Sequence, residues 1–190
     1  TNGGSAFSAD RLGYLARATY AYDSRYLFEA SFRYDASENF APDNRWGFFP
    51  SFSLGWRVSE ESFFSGVEFV DNLKLRASWG QLGNDRIAQF QYLNAFNFGG
   101  DYILGGAAVK TIRPGVVPNE GVTWETATST NIGLNLGLFQ SKITLEADYF
   151  IKNTSDILEF RNLSVPSSFG ASLPRQNIGK VDNKGFEFSL

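Results

Sequence analysis

The sequence predicts an all-β, antiparallel fold of about seven strands, and three observations predict it. Apolar and polar side chains alternate with period two in stretch after stretch, as they must when successive residues leave a strand on opposite faces. The connections between those stretches are alternately short and long. Aromatic residues make up 16% of the chain and gather at the ends of the alternating stretches.

The segment Leu12–Asp35 carries the pattern most plainly. Leu12, Tyr14, Ala16, Ala18, Tyr20 and Tyr22 share one parity, against Gly13, Leu15, Arg17, Thr19 and Ala21. After the polar break Asp23-Ser24-Arg25, Tyr26, Phe28, Ala30, Phe32 and Tyr34 alternate with Leu27, Glu29, Ser31, Arg33 and Asp35. A short polar break between two such runs predicts a hairpin. Residues 1–10, rich in Gly and Ser, are expected to be loop, as is the polar stretch 36–45.

Alternation resumes at Trp46–Val58, with Phe48, Pro50, Phe52, Leu54, Trp56 and Val58 on the apolar side. Pro50 cannot donate to a ladder, so a bulge or a strand end is expected there. Residues 59–72 read as a connector with one helical turn at SEESFF. Leu73, Leu75, Ala77 and Trp79 then alternate with Lys74, Arg76, Ser78 and Gly80. From Gly83 to Thr123 the alternation fails; this segment, with two Gly-Gly pairs, reads as a long loop of functional character. Thr128–Leu138 and Ile143–Lys152 form two more strands around Gln140-Ser141-Lys142. Residues 153–184 read as a second long loop, with a strand extension at DILEF, and a last strand begins near Gly185.

Composition removes whole classes of chemistry. The chain has no His, Cys or Met and a net charge of −3. Without Cys there are no disulfides, thiol nucleophiles or thiolate sites, and without His the Ser-His-Asp and most zinc arrangements are gone. The acidic balance lacks the basic stripe of a nucleic-acid binder. No apolar run is long enough for a transmembrane helix, so a membrane reading must go through a barrel.

The apolar parity touches either lipid or a protein core. None of the apolar-parity positions named above is charged, although 19% of the chain is; a barrel's lipid face and a sandwich's inner face both demand this. Alternating short and long connections, aromatics at strand ends and a mixed polar opposite face favour a membrane barrel. The rival is a secreted β-sandwich, a carbohydrate-binding or adhesion module. In the barrel case the strands are too few to close, open edges are costly in hydrocarbon, and both chain ends look like cuts in a longer protein.

Several motifs, taken in order, resemble the SusC/RagA family of TonB-dependent outer-membrane transporters. They are Arg17-Ala-Thr-Tyr20-Ala-Tyr22, Arg33-Tyr-Asp35-Ala-Ser37, Gly47-Phe-Phe-Pro50-Ser51, Gly55-Trp56-Arg57 and Ser59-Glu60-Glu61. Leu73–Asp85, Thr123–Phe139 and Asn177–Phe188 add three longer stretches. The resemblance implies a plugged transmembrane β-barrel of about 22 strands, with residues 1–190 a partial barrel domain from its C-terminal half. It implies TonB-dependent import of glycans, oligosaccharides or peptides at the cell outer membrane. It further implies a SusD-like surface lipoprotein as partner, and coupling to the TonB complex through a plug and N-terminal region absent from these residues. No enzyme activity and no cofactor is implied.

Individual residues are weighed against that frame. Phe90, Tyr92, Phe96, Phe98, Tyr102 and Trp124, in or beside the longest loop, are the candidate substrate contacts, because aromatic faces suit sugar rings; the plainer reading is packing of the loop on itself or on the rim. Glu146 and Asp148, with Lys152 nearby, form a conceivable acid–base pair, but a solvated face with internal charge balance accounts for them more simply. Asp101 and Asp156 sit in loops where calcium could bind, though no EF-hand pattern surrounds them. The sequons at Asn153 and Asn162 carry no meaning in a bacterial outer membrane.

Overall fold

A computed structural model describes residues 10–161 and 165–190. The strands are β1 (Arg11–Tyr22), β2 (Tyr26–Ser37), β3 (Trp46–Arg57), β4 (Val70–Asn84), β5 (Phe96–Leu104), β6 (Ala107–Pro114), β7 (Glu125–Leu138), β8 (Ile143–Phe160) and β9 (Arg175–Ser189). Seven of them form one antiparallel sheet in the order β1-β2-β3-β4-β7-β8-β9, and β5–β6 is a separate hairpin inserted between β4 and β7. Neighbours in the large sheet are neighbours in sequence, apart from that insertion, as in an up-and-down wall.

All connections therefore fall at one of two ends. Residues 23–25, 58–69 and 139–142 lie at the short-turn end; residues 38–45, 85–124, 161 and 165–174 lie at the long-loop end. Local chemistry fits the tight turns. Asp23 and Ser24 have positive φ (49° and 53°), the left-handed pair that matches strand twist in a hairpin, and the Arg25 N–H donates to the Tyr22 carbonyl at 3.0 Å. The expected helical turn at SEESFF is present as two 3₁₀ turns, Val58–Glu60 and Ser62–Phe64.

Three expectations change. The 83–123 segment is not structureless: β4 continues to Asn84, and β5–β6 turns on Gly105-Gly106, whose φ values are +59° and +83°. The register slips between Phe98 and Asp101, where Gly99-Gly100 form a bulge, and that slip hides the alternation. The second long loop gives up residues 153–160 and 175–184 to strands. β8 runs far past Lys152 and β9 starts at Arg175, with register shifts at Thr154/Ile157 and Ile157/Leu158 around Asp156, whose φ is +58°. Finally, the β2–β3 register passes Pro50 unbroken, opposite Phe32, whereas pairing with β4 begins only at Ser51. Pro50 thus marks the end of one ladder and not of the strand.

The described residues bury little. Phe40, Phe49, Val122 and Trp124 form one compact core at the long-loop end, with Ile87 and Leu158 packed against it. The strands themselves are a single layer: Leu54, Phe52, Ile132 and Phe186 are all exposed.

Candidate functional site

The register turns the alternation into two faces. One row of directly paired residues runs Tyr20–Phe28–Leu54–Ala77–Ile132–Tyr149–Phe186 across all seven strands. The next runs Tyr22–Tyr26–Trp56–Leu75–Leu134–Ala147–Phe188. This apolar face carries no charge until Lys184 and Asp182, which lie on β9 toward the long-loop end; Asp182 accepts from Asn153 Nδ2 at 2.7 Å.

Two aromatic clusters bound the apolar face. At the short-turn end Tyr22, Tyr26 and Trp56 stack in series, with centroids 6.4 and 6.5 Å apart. At the other end Trp46 stacks on Tyr34 at 4.5 Å and on Tyr14 at 6.2 Å. Trp46 and Trp56 are ten residues apart on β3. At about 3.3 Å per residue and a tilt of about 40°, they bracket about 25 Å of height, the thickness of a barrel's apolar band.

The opposite face is charged and partly ion-paired, with Arg57 standing opposite Lys74. Arg17 Nη2 pairs with Glu29 Oε2 at 2.5 Å, and Arg33 Nε with Asp35 Oδ2 at 3.0 Å. Arg76 Nη2 reaches Asp148 Oδ2 at 2.9 Å across an intervening strand, because Gly133 lies between them in the row Arg76–Gly133–Asp148. A Cβ at Gly133 would collide with Asp148 Oδ1. Asn135 Nδ2 donates to Glu146 Oε1 at 2.5 Å. Glu146 and Asp148 are therefore committed to separate partners, an arrangement that matches charge and does not poise an acid against a base. Shallow cavities of 630 and 400 Å³ line this face around Lys74, Arg76, Ser78 and Asn131.

At the long-loop end a knot of contacts holds the rim. Trp124 Nε1–H donates to the Arg45 carbonyl at 3.1 Å, and Arg45 Nε donates to the Phe40 carbonyl at 3.2 Å. The Asn177 carboxamide acts as a strand surrogate: Nδ2 donates to the Thr123 and Asp156 carbonyls at 2.9 and 2.6 Å, and Oδ1 accepts from the Thr123 N–H at 3.1 Å. Arg11 Nε pairs with Asp85 Oδ2 at 2.8 Å.

The six candidate aromatics separate. Trp124 is 8% exposed, enclosed by Phe40 and Phe49 at 5.1 and 5.3 Å. Tyr92 is half-buried, its hydroxyl accepting from Arg45 Nη2 at 3.5 Å, with the Phe90 ring edge-on at 6.4 Å. Phe96, Phe98 and Tyr102 are exposed on β5, Phe98 at 81%. The Gly99-Gly100 bulge flips the parity, so Phe96 and Phe98 share a face with Ile112, while Tyr102 lies on the other with Val109. Asp101 stands opposite Lys110, and Ser155 Oγ–H donates to Asp156 Oδ2 at 3.1 Å. The Asn162 sequon lies outside the described residues.

One arrangement escaped sequence reasoning. At the short-turn end Glu61 Oε1 accepts from Tyr26 Oη at 2.6 Å and from Trp56 Nε1 at 3.0 Å, while Arg25 Nη1 lies 3.5 Å from Oε2. The Tyr26 hydroxyl, then the Trp56 indole, hold the Glu61 carboxyl below the usual carboxylate range. The Ser59-Glu60-Glu61 motif was visible, but no local rule says that a connector carboxylate turns back onto two rings. The Arg76–Asp148 pair was equally out of reach, spanning 72 residues.

A single-layer antiparallel sheet, apolar between two aromatic bands on one face, with charge there on β9 alone, and polar and charged on the other, is a piece of barrel wall and not half of a sandwich. Comparison with known proteins places it further. The family model described as TonB dependent receptor-like, beta-barrel matches residues 1–190, and the chain belongs to that family. It is 38% identical over 183 residues to the TonB-dependent receptor SusC of Bacteroides thetaiotaomicron, covering 94% of this chain and 18% of SusC. It is 38% identical over 175 residues to the TonB-dependent receptor P39 of Formosa agariphila, covering 92% and 16%. Among solved structures, the RagAB peptide transporter superposes with a TM-score of 0.78 at 25% identity, over 94% of this chain and 19% of that one. The siderophore receptor PirA from Acinetobacter baumannii shares the fold alone, with a TM-score of 0.61 at 11% identity. The chain spans less than a fifth of SusC, P39 and the RagAB chain.

Proposed function

We propose that these residues form part of the wall of an outer-membrane importer of oligosaccharides or peptides. In this reading a SusD-like surface lipoprotein works at the long-loop end, and TonB-dependent energy coupling lies in regions beyond these residues. The observation that carries the proposal is the opposition of faces: a face about 25 Å tall between aromatic bands, uncharged in its paired rows from β1 to β8, suits lipid, and the charged face behind it suits a wet lumen. The long-loop end is then extracellular and the short-turn end periplasmic. The membership in the receptor family and the similarity to SusC support import; the choice between sugar and peptide rests on the loops.

The β5–β6 hairpin is the proposed recognition element. It presents Phe96, Phe98 and Ile112 on one exposed face and Tyr102 on the other. A hairpin with both faces open has little stability of its own, which suits an element completed by what it binds. Its ends are adjacent, since the Gly115 N–H donates to the Ala95 carbonyl at 2.8 Å. Excision of Phe96–Pro114, joining Ala95 to Gly115 through a Gly-Ser link in the full-length receptor, tests the idea. Outer-membrane levels are expected to hold, while growth on the oligosaccharides or peptides that sustain the parent strain, or co-purification of the lipoprotein from detergent, is lost. If both growth and co-purification survive, the hairpin is not the recognition element.

A further inference from the structure

The connector of residues 58–69 is the one element at the short-turn end with more chain than a turn requires, and its direction is fixed by Glu61. Tyr26 and Trp56 belong to the outward, apolar parity, so a carboxylate that accepts from both ring tips must sit on the outward side of the wall. Val58, which follows Trp56 on the outward series, is 8% exposed, one of the few buried apolar residues. The connector therefore folds back over the outer surface and does not hang below the sheet or cross the lumen.

Its remaining side chains sort by chemistry. Phe63 and Phe69 are exposed, and the Phe69 ring meets that of Phe139, from the neighbouring turn, at 6.5 Å; the Phe139 N–H donates to the Phe69 carbonyl at 3.1 Å. Glu60 and Glu68 are exposed as well. Two exposed Phe residues on a connector tied to the Tyr22–Tyr26–Trp56 band are out of place in water and fit the boundary between headgroups and acyl chains, where aromatic rings settle.

We infer that residues 58–69 are an interfacial anchor, with Phe63 and Phe69 seated in the phospholipid leaflet beside the barrel and Glu61 as the latch that holds them there. The apolar surface of the connector continues the lipid-facing surface of the wall, and its occupant is the same phospholipid. This inference rests on the membrane reading of the outward face, and the test separates the two.

The chain has no cysteine, which suits spin labelling. In the full-length receptor, with any cysteines outside these residues replaced by serine, a nitroxide is attached at Phe63→Cys, Phe69→Cys and Phe139→Cys in turn. Leu54→Cys on the outward face is the lipid reference, and Ser24→Cys in the β1–β2 turn is the aqueous reference. The receptor is placed in phosphatidylethanolamine nanodiscs, and collisions with oxygen are compared with collisions with a water-soluble nickel chelate. Labels at 63 and 69 are expected to resemble 54, with oxygen dominant. Adding Glu61→Ala is expected to shift label 63 toward the ratio at 24, leaving 54 unchanged. If 54 reads as lipid while 63 and 69 read as water, or are shielded from both reagents, the anchor is wrong. An unmoved label 63 on loss of Glu61 removes the latch. An aqueous reading at 54 would overturn the membrane reading itself. Phe139, on a separate turn, reports on the same patch should either connector variant fail to assemble.

Discussion

Phe52 and Ser53 are consecutive residues of β3 with opposite fates, and they test the two-faced wall at a single point. Phe52 lies on the outward face, six residues along β3 from Trp46 and four from Trp56, between Ala30 and Trp79. That places it near the middle of the apolar band. An arginine near the bilayer midplane of a barrel costs about 2–4 kcal/mol. Stacking of the guanidinium on Trp79, whose ring now packs on Phe52 at 6.1 Å, returns about 0.5–1 kcal/mol. Phe52→Arg is thus expected to destabilise the barrel by about 1–3.5 kcal/mol, a factor of roughly 5 to 300 in the folding equilibrium. Ser53→Arg puts the same charge on the inward face directly opposite Glu29, and its effect is expected to stay within about 0.5 kcal/mol. The assay is reversible folding of the full-length receptor into phospholipid vesicles against denaturant, with heat-dependent gel migration and outer-membrane fractionation as cellular readouts. Equal losses for the two variants, or the greater loss for Ser53→Arg, would refute the face assignment.

Gly133→Val should drive the Arg76 and Asp148 side chains apart and cost about 1–3 kcal/mol; the same substitution with Asp148→Ala already present should cost less, and a vesicle-folding double-mutant cycle reads the difference. Trp124→Ala empties the centre of the rim core, a loss of about 3–5 kcal/mol for a buried ring, and is expected to expose residues 85–124 to limited proteolysis while the wall still assembles. The Glu61 latch has a signed pH dependence. Its carboxyl is held below the ordinary value of 4.5, so its contribution is full above that value and is lost as pH falls through the depressed one. Collisional accessibility at position 63 should therefore change only on acidification below about 4.5, and not at all in Glu61→Gln.

The wall was legible in the sequence because its physics is local: period-two alternation decides which face each residue joins, and the seven strands of the sheet follow from it. What was lost sits wherever that period slips. Gly99-Gly100 add a residue to β5, and beyond that bulge the parity reverses; around Asp156 an extra residue in β8 is followed by an extra residue in β9, which interrupts the alternation of both strands and then restores their register. A reading that demands unbroken alternation mistakes both regions for loop. The hairpin had a signal in Gly105-Gly106 flanked by Tyr102-Ile-Leu104 and Val109, a glycine pair able to take positive φ at both turn positions. The six aromatics could not be sorted from sequence at all. Trp124 and Phe98 look alike as letters; only the packing of Phe40, Phe49 and Val122 around one of them separates a structural ring from an exposed one.

The inward face also bears on where selectivity resides. Arg17, Arg33 and Arg76 each have a carboxylate partner within the wall, so these three guanidinium charges are compensated before any substrate arrives, whereas Arg57 stands opposite Lys74. A field built from close, opposite pairs falls off faster than one built from a block of like charge, and salt screens what remains over about 8–10 Å. Matched pairs of this kind neither attract nor repel an ionic cargo strongly. The compensation depends on geometry: with a Cβ at Gly133, Arg76 could not reach over a strand to Asp148. Under the proposed function, discrimination must then be made before the lumen, by surfaces that are not neutralised or buried. Phe96, Phe98 and Tyr102 on the hairpin meet that condition, and Trp124, sealed in the rim core, does not. Phe98→Ala should accordingly change which nutrients support growth, while Arg76→Leu paired with Asp148→Leu, which removes a matched pair together, should leave that selection unchanged.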